Sequence, residues 1–80
     1  MTAMTARELV EYVARSLAER PESVRVSEVT GGDTTVIELT AAPGDAGRII
    51  GREGRNAKAL RTLLGVMGAR EGKRYQLEIR

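Results

Sequence analysis

The sequence predicts a small α+β domain with the element order α-β-β-α-α-β, a three-stranded sheet and helices packed on one face of it. Three observations carry that reading. Residues 5–19 and 55–69 repeat apolar side chains at helical spacing. Residues 23–30, 34–40 and 73–80 alternate apolar and polar positions as half-buried strands do. Between the second strand and the last long helix lies a short helical stretch that a glycine closes. The chain of 80 residues is expected to hold one domain, residues 1–80.

The first helix opens on a capping box, Thr5 with Glu8, in which each side chain can serve the other residue's backbone N–H. Leu9, Val10, Val13 and Leu17 follow helical spacing and are expected to face the core, with Arg7, Glu11, Arg15 and Glu19 toward water. Pro21 ends the helix near Arg20. In the first strand Val24 and Val26 alternate with Arg25 and Ser27. Gly31-Gly32-Asp33 is a turn signal, so the first two strands form an antiparallel hairpin. In the second strand Thr35, Ile37 and Leu39 share one face.

Pro43 suits the start of a short helix, and Asp45 in its first turn is favourable to the helix dipole. That helix is expected to run to about Ile50 and end at Gly51. Gly47 inside it costs about 1 kcal/mol relative to alanine, which suggests that something must come close there. The third helix carries an apolar stripe of Ala57, Leu60, Leu64 and Met67, with Leu63 beside it, and ends at Gly68 or Gly72. Arg55, Lys58 and Arg61 recur every third residue on another part of its surface. The last strand turns Tyr75, Leu77 and Ile79 inward.

Composition removes several function classes. There is no cysteine and no histidine, so thiolate chemistry, Cys-based metal sites and the usual general base are absent. No apolar run approaches the roughly 18 residues of a membrane span, and no secretory signal is visible, so a soluble cytoplasmic protein is expected. Residues 1–40 hold four arginines against seven acids, while residues 41–80 hold nine bases against four acids. The basic half surrounds the glycine turn, as a phosphate-bearing partner would require. Only Tyr12 and Tyr75 are aromatic, so base stacking on exposed aromatic rings is not the mode of binding. Neither Gly-x-x-x-x-Gly-Lys-Ser/Thr nor Gly-x-Gly-x-x-Gly occurs, and no carboxylate cluster suits a metal, so no enzyme, cofactor, metal or small-molecule substrate is expected.

The informative stretch is Gly47-Arg48-Ile49-Ile50-Gly51-Arg52-Glu53-Gly54-Arg55, continued by Asn56-Ala57-Lys58-Ala59-Leu60-Arg61. Taken alone, Gly51 and Gly54 could be a plain linker between helices. Taken with the flanking isoleucines, the arginines and the element order, this stretch resembles the Gly-x-x-Gly loop of a KH domain of type II. It is most similar to the small bacterial single-KH proteins of the KhpA type, and the resemblance covers essentially the whole chain.

The resemblance implies a single-stranded RNA-binding protein with an RNA-chaperone or post-transcriptional regulatory role. It also implies homodimerisation, or pairing with a larger KH protein of the KhpB/Jag type. Gly51 and Gly54 would admit the RNA backbone, Arg52 and Arg55 would meet phosphates, and Lys58 would reach along the strand. Ile49, Ile50 and an outward-facing residue of the Val36–Leu39 strand would form an aliphatic floor, bordered by Gly47 and Arg48. Two positions depart from the pattern. Glu53 puts a negative charge in the loop, and Ala57 stands where a large aliphatic residue is usual. The alternative expectation is a KH-fold dimerisation or assembly subunit with RNA contact secondary.

Overall fold

Helix α1 (Ala6–Leu17) starts where its capping box closes. The Glu8 N–H donates to Thr5 Oγ1 at 3.1 Å and the Thr5 N–H donates to Glu8 Oε1 at 2.9 Å. The bond from the Thr5 backbone also holds the Glu8 carboxyl below its ordinary value. This computed structural model describes residues 4–80, so residues 1–3 of the expected domain lie outside the described part. After a single 3-10 turn at Pro21–Ser23 the chain enters β1 (Arg25–Gly31), which pairs antiparallel with β2 (Thr34–Thr40). The hairpin turns at Gly32-Asp33, where Gly32 takes φ 62°.

The short helix α2 (Asp45–Ile50) and the long helix α3 (Arg55–Glu71) follow, and β3 (Arg74–Ile79) closes the chain. The sheet order is β1-β2-β3, with β3 parallel to β2. The observed order, α-β-β-α-α-β with a three-stranded sheet, is the one expected of a type II KH domain.

The core lies between this sheet and the helices. Ile37 and Leu39 of β2 meet Leu77 of β3, Val10 of α1, Ile49 of α2, and Leu60 and Leu64 of α3. In β2 the alternation is strict: Thr35, Ile37 and Leu39 are buried and Thr34, Val36 and Glu38 are not. The buried Thr35 hydroxyl is satisfied by Thr30 Oγ1 at 3.0 Å. Val36 therefore faces away from the helical layer, and it does not share a surface with Ile50 on α2.

Helix α1 presents a different row from the one expected. Ala6, Val10 and Ala14 are buried, whereas Leu9 and Val13 are half-buried and Leu17 is exposed. The small alanines let the helix backbone approach the sheet closely. Val13 and Leu17 instead border α3 across a groove. Hydrophobic spacing alone could not separate a face against the sheet from a face bordering a second helix.

Helix α3 ends at Gly72, with φ 69°, and not at Gly68. The Lys73 N–H donates to the Gly68 carbonyl at 2.9 Å, a Schellman-type closure that folds the chain back over Gly68. A Cβ on Gly68 would lie 2.6 Å from the Lys73 carbonyl oxygen. Since backbone must move to make room, Gly68→Ala destabilises the fold by about 1–3 kcal/mol. Gly65, which has open space around it, is the control: Gly65→Ala is neutral or stabilising in the same thermal or urea unfolding measurement.

Candidate nucleic-acid interface

The loop between α2 and α3 is built from unusual backbone. The Gly51 N–H donates to the Gly47 carbonyl at 2.9 Å and ends α2. Gly51 then turns away at φ 82°, ψ 169°, a region glycine alone enters freely. Residues Arg52–Gly54 form one 3-10 turn, closed by the Gly54 N–H donating to the Gly51 carbonyl at 3.0 Å. Glu53 (φ 57°) and Gly54 (φ 73°) both lie in the left-handed region. Glu53 is the one non-glycine residue with positive φ among the described residues. A left-handed glutamate costs about 1 kcal/mol, so the surrounding turn holds it there.

The start of α3 differs from the start of α1. No side chain caps it, and its first turn has no acidic residue. The Arg55 N–H donates to the Arg52 carbonyl, so it is the N–H groups just after it, with the positive end of a 17-residue helix, that open at the loop. Arg52, Arg55 and Lys58 surround this end and are exposed. Among the described residues, no carboxylate forms an ion pair with any of the three. Arg61, one turn further along α3, donates to the Leu77 carbonyl at 3.2 Å and belongs to the packing of helix on sheet.

The other expected site residues divide between surface and interior. Ile50 and Gly51 are half-buried beside the turn, and Gly47 is exposed with open space where a Cβ would stand. Ile49 is fully buried in the core, so it supports α2 from below and offers no surface to a ligand. Truncating a buried isoleucine to alanine costs about 2–5 kcal/mol, so Ile49 is a stability position. Arg48 is exposed, but its guanidinium is engaged: Nη2 lies 2.7 Å from Glu19 Oε2 and Nε lies 3.5 Å from Asp45 Oδ1. Arg48 thus ties α2 to the end of α1.

Asp45 is the residue whose importance the sequence understated. It is 3% exposed. Its carboxylate accepts the Arg20 N–H at 2.9 Å and the Glu19 N–H at 3.1 Å. One carboxylate therefore satisfies two backbone donors just beyond α1 and fixes where α2 begins. The sequence carried one sign of it, an acid between Pro43-Gly44 and an apolar helix, which reads equally well as a dipole partner. The hydrogen bonds from the Arg20 and Glu19 backbones, with a smaller contribution from the Arg48 charge, hold the Asp45 carboxyl below its ordinary value of 3.8.

An apolar groove runs between α1 and α3, about 380 Å³ in volume and walled by Tyr12, Val13, Leu17, Ala59 and Leu63. Tyr12 is 64% exposed, Leu63 48% and the neighbouring Val66 54%. Asn56 lies at the groove's loop end.

Because the folded Asp45 pKa is depressed, its contribution to stability is present above the unfolded value near 3.8 and is lost as the pH falls through the lower folded value. Asp45→Asn therefore melts several degrees below the parent at pH 7, and the gap between the two narrows below about pH 3.8. A gap that stays constant from pH 7 to pH 2.5 removes the carboxylate as its source.

Comparison with known proteins places this geometry in context. The family described as "KhpA/KhpB, KH domain" matches residues 7–79. The RNA-binding protein KhpA of Chlamydia muridarum is 47% identical over 73 residues, which are 91% of this chain and 94% of that protein. The RNA-binding protein KhpA of Clostridium acetobutylicum is 45% identical over 91% of this chain and 97% of its own length. That of Aquifex aeolicus is 45% identical over 91% and 92%. Among solved structures, Era in complex with MgGDPNP and nucleotides 1506–1542 of 16S ribosomal RNA superposes with a TM-score of 0.51 at 26% identity. That superposition covers 92% of this chain and 28% of the Era chain, so the likeness is to one part of Era. Sequence and fold agree: the chain belongs to the KhpA/KhpB family of KH domains, a non-enzymatic family.

Proposed function

We propose that this protein binds single-stranded RNA through the Gly51–Gly54 loop and acts in the cytoplasm as an RNA chaperone or post-transcriptional regulator. One observation carries the reading. The uncapped positive end of α3 opens at a glycine-bracketed turn whose flanking cations, Arg52, Arg55 and Lys58, are exposed. Glycine at 51 and 54 leaves no side chain to hold a phosphodiester away, and the N–H groups that follow Arg55 at the start of α3 would face the place where a phosphate sits. The relatives named RNA-binding proteins, and the Era structure with its ribosomal RNA fragment, support this choice of ligand over a free nucleotide.

The contacts divide by chemistry. Arg52, Arg55 and Lys58 meet phosphates, and Gly47, Ile50 and Gly51 offer the low surface on which the strand lies. Arg48 joins only by leaving Glu19, an exchange of one exposed partner for another. Glu53 repels the same phosphates its neighbours attract. A KH loop holds about four nucleotides, so affinity from one loop is modest.

The groove between α1 and α3 favours a companion reading, in which the domain works in pairs. Tyr12, Leu17, Leu63 and Val66 leave apolar area exposed on one side of a small domain. A second copy, or the KH domain of a larger KhpB/Jag-type protein, would cover it. Two linked loops on one RNA raise avidity without any new contact to a base.

Two measurements test these readings. Arg52→Asp with Glu53→Asp leaves the fold intact and lowers affinity for a single-stranded RNA decamer at least tenfold. In the parent, log affinity falls against log salt with a slope of about −2, the value for three phosphates on a single strand; a flat salt dependence, or unchanged binding by the double variant, removes the loop from the interface. Leu63→Asp yields a monomer in sedimentation and weakens binding to a long RNA while leaving decamer binding unchanged. A parent that is already monomeric at tens of micromolar sinks the pairing by self-association.

A further inference from the structure

We propose that Asn56 is a positioning residue that sets the shape of the Gly51–Gly54 loop for RNA, an inference that rests on the loop being the RNA contact. Asn56 is the second residue of α3, yet its side chain reaches back across the loop to the end of α2. Its Nδ2 donates to the Arg48 carbonyl, a long contact at 3.4 Å. Arg48 lies in the last turn of α2, where carbonyls lack a helical donor. The same side chain lies directly over Gly51. A Cβ on Gly51 would stand 2.7 Å from Asn56 Nδ2 and 2.8 Å from its Cγ. The backbone angles of Gly51 call for glycine, and the Asn56 amide packs over the space that a side chain there would take. Gly54 shows the contrast, since a Cβ there would meet nothing within 4 Å.

The loop's own hydrogen bonds do not join its two sides in this way. The Gly54 N–H to the Gly51 carbonyl closes the turn, and the Gly51 N–H to the Gly47 carbonyl ends α2. Among the described residues, Asn56 is the side chain of α3 that hydrogen-bonds to α2. It fixes how the end of α2 sits against the start of α3, and therefore how Gly51, Arg52 and the first N–H groups of α3 are presented together. Asn56 need not touch RNA to matter for it. At its other side it lines the end of the α1–α3 groove together with Ala59, Leu60 and Leu63.

The experiment uses the full chain and a fluorescein-labelled single-stranded RNA decamer of mixed sequence. Asn56→Ala weakens binding about five- to tenfold, keeps the salt slope of the parent, and changes the melting temperature by no more than a few degrees. Backbone amide relaxation in the free protein then shows increased motion at Arg52 and Glu53, with the centre of α3 unchanged. Asn56→Asp is the second variant and guards against a folding failure. A carboxylate in the first turn of α3 favours the helix, so its melting temperature holds or rises, while it has no N–H to give to Arg48. Increased loop motion in this better-folded variant supports positioning. If both variants keep parental loop order and Asn56→Ala binds like the parent while Arg52→Asp with Glu53→Asp does not, the loop reading stands and the role of Asn56 is overturned. If affinity falls only in step with melting temperature, Asn56 is merely structural and the proposal is likewise overturned. If the Arg52 and Glu53 double variant binds like the parent, both readings fall together.

Discussion

The parallel pairing of β2 with β3 is the constraint from which the rest of the molecule follows. Two parallel neighbours cannot be joined by a tight turn, because the chain leaves one strand at the wrong end of the next. It must travel back along the sheet. Here α3 makes most of that journey, since 17 residues of helix span about 25 Å. The short α2 carries the chain from the end of β2 to the point where α3 can begin. The bend between the two helices is thus forced by topology, and the fold needs a sharp turn there whether or not RNA is present. Gly51 and Gly54 make that turn with little strain, and the function proposed here uses a feature that strand pairing already demands.

A bend in one place is useful only if its two arms are fixed. The α2 arm is short and would not be stable alone, since isolated helices below about 12 residues are marginal. Ile49 anchors it from beneath and Asp45 pins its first turn to the residues after α1. Arg48 adds a surface link to Glu19. The α3 arm is held by Leu60 and Leu64 in the core and by Arg61 on the β3 backbone. The N-terminal helix, which contributes nothing to the loop directly, is thereby part of the scaffold that aims it.

Most of the architecture was legible because it is written in local chemistry. The capping box of Thr5 and Glu8, the alternation of Thr35, Ile37 and Leu39, and the Gly32-Asp33 turn each involve residues within a few positions of one another. What the sequence concealed depends on distant partners. Leu17 has the spacing of a core residue but borders a groove, because the sheet is approached through Ala6 and Ala14. Gly68 looks like a stop signal but lies within α3, where the Lys73 carbonyl folds back onto it. Arg48 reads as a border of the loop's groove, yet Glu19, 29 positions earlier, already pairs with it. Ile49 and Ile50 read alike as an apolar pair, and only the packing of α2 decides that the first is core and the second is half-buried beside the turn. The Gly-x-x-Gly stretch stood out for the opposite reason: its backbone demands are local, so the glycines have to be visible.

Glu53 joins the structural and functional accounts of the loop. A left-handed position is easier for glycine or asparagine than for glutamate, and a carboxylate beside a phosphate path is unfavourable to binding. Both effects run against tight binding, and both act at the tip of the turn. The carboxylate lies next to Arg52 in sequence, so part of the positive potential at the helix start is cancelled before any ligand arrives. Salt would weaken what remains further, since exposed charges are screened beyond about 8–10 Å at physiological ionic strength. Under the proposed function, a loop built this way would hold many single-stranded segments briefly. Residence on one RNA would then come from a second loop, supplied, if the proposed pairing holds, through the uncovered apolar side of α1 and α3. On the proposed reading, loose contact at the loop and an open flank are two halves of one arrangement.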